Sequence, residues 1–344
     1  MQALQATRNG PPAEVLQIND IDVPTPGPGQ VLIRVSAASL NFNDIDRCYG
    51  RRISVPLEPP FTLGMDVCGV VETCGEGSEA WQGKRVVALT QMATGGLAEF
   101  ALASADAVFA APPGMTDAEA ASFIIPFHTA YLAIVRRAKL AAGETLLVHA
   151  GASSVGAAAI QIGKALGAAV FATVGSDEKA DYCRSLGADR AINHQTEAFD
   201  KVVQAETSHA GADVILNLVA GSFVEPSWRC VAREGRYVAA GFADDDENGF
   251  TGRPLRPLCS ANFSILGVML SYISHMPPEI REFGFNMFTR DVGDEVHAAL
   301  LGLAASGAIK PVLSRTVTLA EAAQALTDQE NRQTSGRTVV TMPA

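Results

Sequence analysis

No Cys-x-x-Cys pair occurs among the six cysteines of this 344-residue chain. That spacing excludes a four-cysteine zinc lobe. Cys48, Cys68, Cys74, Cys183, Cys230 and Cys259 are scattered among apolar neighbours, as expected of buried thiols in a reducing compartment. Basic charge is also scarce: Lys+Arg 26 against Asp+Glu 37 leaves a net charge of −11. That balance argues against nucleic acid or an anionic membrane as a general partner, while a local basic pocket stays open. No uninterrupted apolar span is expected to cross a bilayer. The first residues carry neither a charged n-region nor a long apolar h-region, so a cytoplasmic protein is the expectation. Internal repeats of solenoid period are absent, and Asp244-Asp245-Asp246-Glu247 reads as a solvated loop.

What is present describes a compact chain of two domains, 48% hydrophobic and 18% charged. Up to about residue 120, short β-type runs (31–35, 67–72, 85–89 and 97–101) alternate with Gly, Pro and Asp punctuation. Residues 118–139 read as helical, interrupted near Pro126. Strands are then expected at 145–150, 168–173, 190–193, 214–218, 235–240 and 263–269, alternating with helices. That alternation is the pattern of an α/β, doubly wound parallel sheet. The final segments are expected to return to the first domain.

The segment Thr145 to Gly156 reads as a buried strand, a tight small-residue turn and a helix opening at Val155. Val155, Ala159, Ile162 and Leu166 fall on one helical face. A turn without bulky side chains lets a diphosphate approach the backbone, where helix N–H groups and the positive dipole end await it. The pattern is Gly151-x-Ser153-x-x-Gly156, so Ser153 replaces the middle glycine of the dinucleotide fingerprint. An NAD site normally carries Asp or Glu at the end of the second strand. Here that strand ends Thr173-Val174-Gly175-Ser176, with Lys179 one helical turn later. Asp177 and Glu178 suit the opening of the next helix. Lys179 is either a cation for a 2′-phosphate or a solvated surface lysine. The missing acid and the available cation together favour NADPH over NADH.

Several further motifs carry a resemblance that runs nearly end to end. They are Asn41-Phe42-Asn43-Asp44, Gly64-Met65-Asp66-Val67-Cys68-Gly69-Val70-Val71, Gly96-Leu97-Ala98-Glu99-Phe100, Thr129-Ala130-Tyr131, the Gly151–Gly156 turn and Gly336-Arg337-Thr338-Val339-Val340. The chain resembles the zinc-free quinone oxidoreductase branch of the medium-chain dehydrogenase/reductase superfamily, the group that includes zeta-crystallin. The resemblance implies a GroES-like, β-rich catalytic domain (1–122 and 270–344) and a Rossmann domain (123–269), with NADPH in a cleft between them. Zinc-dependent relatives place a cysteine ligand where Asn41-Phe42-Asn43-Asp44 stands and a His-Glu pair where Met65-Asp66 stands. No zinc is therefore expected.

The resemblance also implies roles for individual residues. Asn41 would lie near the nicotinamide, with a turn-forming Asn as its bland alternative. Thr129 would touch the same ring, with capping or packing as its alternative. Gly151, Ala152, Ser153, Ser154, Val155 and Gly156 match the diphosphate loop, and Gly175, Ser176 and Lys179 match the 2′-phosphate contacts. His194 would border the adenosine, or be an exposed histidine without a task. Leu218, Val219 and Ala220 end the fourth strand, and Gly241 and Phe242 follow the fifth, beside the expected cofactor. Arg332 matches a basic residue that reaches the cofactor, with Arg337 as the competing alignment. Relatives carry a tyrosine soon after the Asn motif, but Asp46 and Arg52 stand at those positions and Tyr49 lies out of register. Tyr49 and His128 are the candidate proton donors, with water as the other source. The implied reaction is hydride transfer to quinones or small α,β-unsaturated carbonyls. An enoyl-thioester reductase, and a nucleotide-binding protein of structural or regulatory duty, are the alternatives. A homodimer or homotetramer paired through the sixth strand is expected.

Overall fold

The computed structural model describes residues 1–51, 57–243, 256–282 and 284–343. Arg52 and the acidic segment Asp244 to Glu247 lie outside the described residues. The chain divides into two compact units: Met1–Ile125 with Ser271–His297 and Pro311–Ala344, and Pro126–Leu270 with Ala298–Lys310. Residues 298–310, expected in the first domain, thus group with the second unit.

The first unit is β-rich. Its largest sheet runs Leu313–Val317, Arg337–Thr341, Gln30–Ser39, Asp66–Cys74, Arg85–Leu89 and Val108–Ala110, with Phe100–Ser104 also paired to Gln30–Ser39. The strand expected at 97–101 begins at Phe100 instead. Leu97 and Ala98 are fully buried and pair elsewhere: Leu97 N donates to Leu63 O, and Ala98 bridges Ala3. Arg337–Thr341 lies antiparallel to Gln30–Ser39, with Val339 opposite Ser39. This pairing brings Arg337 beside the residues that follow Ser39. Ile33, Val67, Val86, Leu97 and Leu326 are among the fully buried side chains of the core between sheet and helices.

The second unit has a six-stranded sheet, parallel throughout. Its strands are β1 (Thr145–Val148), β2 (Ala169–Val174), β3 (Arg190–Asn193), β4 (Ala212–Asn217), β5 (Val231–Ala239) and β6 (Ser264–Gly267). The spatial order β3-β2-β1-β4-β5-β6 reverses direction at β1/β4, the switch point where ligands bind in such sheets. Helix α1 (Ser154–Ala165) joins β1 to β2, and α2 (Asp177–Ser185) joins β2 to β3. Helix α1 opens one residue earlier than the spacing suggested, and Gly156 to Gly163 are all buried. It is covered on more than one side, because Gln161 accepts a hydrogen bond from Lys310 N at 2.8 Å.

One expectation about apolar spans is corrected. The helix Asp117–Arg137, 21 residues long, is long and apolar enough to cross a membrane by composition, yet most of it is buried inside the protein. The helix itself agrees with the expectation over 118–139; what differs is the interruption expected near Pro126. The helix passes through Pro126 instead by widening into π-type turns at Ile124–His128 and Tyr131–Arg137. The expectation of buried thiols holds for Cys48, Cys68, Cys183 and Cys230, whereas Cys74 is half-buried and Cys259 exposed.

Candidate active site

The turn after β1 is built from residues that leave no room for anything larger. Ala150 takes φ +53°. A Cβ on Gly151 would stand 2.8 Å from Ala172 Cβ and 2.9 Å from Cys183 Sγ. A Cβ on Gly156 would stand 2.3 Å from the Ala150 carbonyl oxygen. These two glycines therefore let α1 start directly against β1 and β2. Ser153 is the N-cap, its Oγ accepting from Gly156 N at 3.1 Å. Gly151 N donates to Thr173 O at 3.0 Å, and Ser153 N to Ala150 O at 2.9 Å, pinning the turn. Ala152 is buried; Ser154 and Val155 are half-buried. A helix N-terminus gathers its first-turn N–H groups and positive dipole end around such a turn, which is a cradle for an anion.

The end of β2 forms an acid-poor corner. Gly175 is exposed, and Ser176 caps α2 by accepting from Lys179 N at 3.3 Å. The serine hydroxyl is therefore committed to the helix as well as open to a ligand. Asp177 Oδ1 accepts from Asn193 Nδ2 at 2.9 Å, which holds that carboxylate toward β3. His194 N donates to Val174 O at 3.0 Å, and this sets its imidazole beside Gly175. His194 Nε2 is 3.6 Å from the place a Cβ on Gly175 would take. Lys179 sits half-buried in the first turn of α2. Gly175, Ser176, Lys179 and His194 are thus brought together.

Beyond β4 and β5 the backbone is folded tightly. Asn217 Oδ1 accepts from Val219 N and Ala220 N, both at 2.8 Å, and its Nδ2 donates to Tyr237 Oη at 2.6 Å. Gly241 packs on Leu218, whose carbonyl oxygen would lie 2.5 Å from an added Cβ. Phe242, next along, is 45% exposed. Asn217 was missed by sequence reasoning, although an Asn at a strand end is a turn signal. Thr129 also belongs to this unit, half-buried between the two π-type stretches, with His128 fully buried beside it.

In the first unit, Asn41 is the N-cap of the helix Phe42–Tyr49 and the hub of a buried polar cluster. Its backbone N donates to Asp44 Oδ2 at 2.8 Å. Its Nδ2 donates to Asp66 Oδ1 at 2.9 Å and to Ser39 O at 3.2 Å, while its Oδ1 accepts from Arg337 Nη2 at 2.7 Å. Arg337 also pairs with Asp66 at 3.1 Å, both side chains buried. Burial pushes the Asp66 carboxyl up to about 6 against the lowering pull of Arg337, and burial raises Asp44 as well. Tyr49 ends the same helix. Its phenol donates to the Glu330 carboxylate, and Arg51 stacks on its ring at 4.3 Å. Burial and that carboxylate raise the phenol above its ordinary value. Arg332 is exposed just past the helix Ala322–Glu330, with φ +59°. Among the described residues, no three His, Cys, Asp or Glu side chains gather as metal ligands.

This pair of sheets is that of known protein families. Residues 27–113 match the alcohol dehydrogenase GroES-like domain, and residues 154–286 match the zinc-binding dehydrogenase family. A quinone oxidoreductase of Sus scrofa is 30% identical over 329 residues, covering 95% of this chain and 93% of that protein. The chain belongs to the medium-chain dehydrogenase/reductase superfamily. Within that superfamily of oxidoreductases it is similar both to quinone oxidoreductases and to segments of larger synthases. The crystal structures of the quinone oxidoreductase from Thermus thermophilus and its NADPH complex share 32% identity and a TM-score of 0.80, covering 99% of this chain and 100% of that one. The phthioceranic/hydroxyphthioceranic acid synthase of Mycobacterium tuberculosis is 32% identical over 319 residues, which is 92% of this chain but only 14% of the synthase. This medium-chain dehydrogenase/reductase thus spans a small part of the synthases it matches.

Proposed function

We propose that this protein is an NADPH-dependent oxidoreductase that reduces quinones or small α,β-unsaturated carbonyls without zinc. The observation that carries the reading is the acid-poor corner at Gly175, Ser176, Lys179 and His194, next to a glycine cradle at Gly151 to Gly156. The residues fit the nucleotide. Gly151 and Gly156 let α1 start directly against the strands, so that its first-turn N–H groups are there for a diphosphate, and the carboxylate of Asp177 is tied to Asn193. When bound, reduced nicotinamide supplies the hydride that an electron-poor acceptor takes up, and a proton from water completes the two-electron reduction.

In this reading the chain's own residues bind, orient and exclude water. Ala152, Ser153, Ser154 and Val155 hold the diphosphate, Ser176 and Lys179 hold the 2′-phosphate, and His194 borders the adenosine. Leu218, Val219, Gly241 and Phe242 line the approach at the carboxyl ends of β4 and β5. Thr129 contacts the nicotinamide through its hydroxyl. Asn41 serves by holding Arg337 and Asp66 together, since its amide hydrogens go to Asp66 and Ser39 and its Oδ1 accepts from Arg337. Tyr49 is a poor proton donor, since its phenol already donates to Glu330. The assembly in this reading is a homodimer, to be read by sedimentation.

Lys179→Ala tests the cofactor half of the reading. It should weaken NADPH by about 1–3 kcal/mol while leaving NADH nearly unchanged. Equal losses for both nucleotides would show that Lys179 does not read the phosphate. The acceptor half is tested by NADPH oxidation with simple quinones and enones, in the presence and absence of a metal chelator. Loss of turnover on chelation counts against it. A second reading, an enoyl-thioester reductase, is favoured by the match to the synthase. Crotonyl-thioester turnover far above quinone turnover would select it.

A further inference from the structure

We propose that His149 is a positioning residue that ties the glycine turn to the adenosine wall of the nucleotide site. The inference rests on the nucleotide reading above and extends it to a residue that no ligand would touch. His149 follows β1, donates its backbone N to Leu216 O at 3.0 Å, and is fully buried. Its Nε2 lies 2.8 Å from Ser227 Oγ, and its Nδ1 lies 2.9 Å from Thr173 Oγ1. The single hydroxyl proton of Ser227 goes to Phe223 O at 2.6 Å. Ser227 must therefore accept from Nε2–H, and Nδ1 is left to accept the hydroxyl proton of Thr173. One tautomer and one ring orientation follow.

Both partners of the imidazole lead to the site. Thr173 is the residue whose carbonyl holds Gly151 N, so one side of the ring anchors the turn. On the other side, His149 packs edge-on to Phe223 at 5.0 Å and to Phe199 at 4.8 Å. Phe223 in turn packs edge-on to His194 at 5.0 Å. A continuous path of contacts thus runs from the diphosphate cradle through a buried imidazole to the ring beside Gly175. A neutral histidine supplies what no other side chain combines here: a flat ring for the phenylalanines, a donor on one edge and an acceptor on the other.

The test uses the full chain with NADPH and adenosine 2′,5′-bisphosphate as probes. His149→Phe keeps the ring and loses both hydrogen bonds; His149→Gln keeps one polar edge; Phe223→Leu breaks the aromatic link alone. His149→Phe and Phe223→Leu should each bind both probes about tenfold more weakly. In each, KM for NADPH should rise with kcat at saturating nucleotide retained, and His149→Gln should recover part of the affinity. A role confined to stability would lower the melting temperature and leave both dissociation constants in place. If His149→Phe fails to fold, the decision falls to Phe223→Leu and His149→Gln. Wild-type affinity in both overturns the proposal. A wild-type protein that binds neither probe overturns the nucleotide reading, and this inference with it.

Discussion

Asp66 and Arg337 neutralise each other in a setting that water does not reach. Removing one partner leaves the other charge buried and uncompensated, at a cost of about 3–5 kcal/mol. Arg337→Met should lower the stability read from urea unfolding by that amount, and the double variant with Asp66→Leu should recover most of it. Recovery would fail if Asn41, which bonds both, needed the charges to hold its own position. The buried histidines set a pH dependence. Burial pushes His149 down to about 3 and His297 down to about 4 from an ordinary value of 6.5. Each lowered imidazole stabilises the fold fully above 6.5 and less as pH falls toward its folded value, because the unfolded chain takes up the proton first. Asp66 runs the other way, gaining a proton in the fold as pH drops through about 6. From about pH 6 to pH 4 the two histidines therefore cost stability, and Asp66 and Asp44, both raised by burial, offset part of that loss. Melting curves across that range check it, and His149→Gln should flatten the slope.

At the scale of elements, the start of α1 is set by contact more than by helical preference. Alanine is ordinarily favoured over glycine inside a helix by about 1 kcal/mol. Gly156→Ala should nonetheless destabilise the second unit by about 1–3 kcal/mol, since its Cβ would meet the Ala150 carbonyl. Gly302, in the helix Arg290–Ala305, has nothing within 4 Å of an added Cβ. Gly302→Ala should therefore stabilise by about 1 kcal/mol. A pair of denaturation curves with shifts of the same sign would refute the contrast. The doubly wound sheet was legible because apolar runs, turn glycines and helical spacing repeat locally from residue 145 onward. The cap role of Ser153 was not, because serine at that point reads only as a missing glycine. The helix over 118–139 was legible but its continuity through Pro126 was not, for a similar reason: proline signals a break, and the π-type widening that accommodates it leaves no mark in the spacing.

At the scale of the whole chain, what escaped the sequence is what depends on distance along it. Asn41 was identified by its local motif, yet its partner Arg337 stands 296 residues away. The local sequence around Tyr49 carries no sign of Glu330, the carboxylate its phenol meets. His149 looked like one more residue in an apolar run, and nothing local links it to Thr173 or Ser227. The strand Arg337–Thr341 is interior to its sheet, between Leu313–Val317 and Gln30–Ser39. Deleting residues 337–344 should thus unfold the first unit while parallel-sheet circular dichroism of the second persists; retention of both transitions would contradict this placement.

The interior position of that strand also bears on biosynthesis. A ribosome delivers the six parallel strands of the second unit well before residue 337 leaves the exit tunnel. Until then Gln30–Ser39 keeps an open edge, and Asp66 waits in the nascent chain without its counter-ion. Newly made copies should pass through an interval in which one unit is finished and the other is exposed to chaperones and to its neighbours on the polysome.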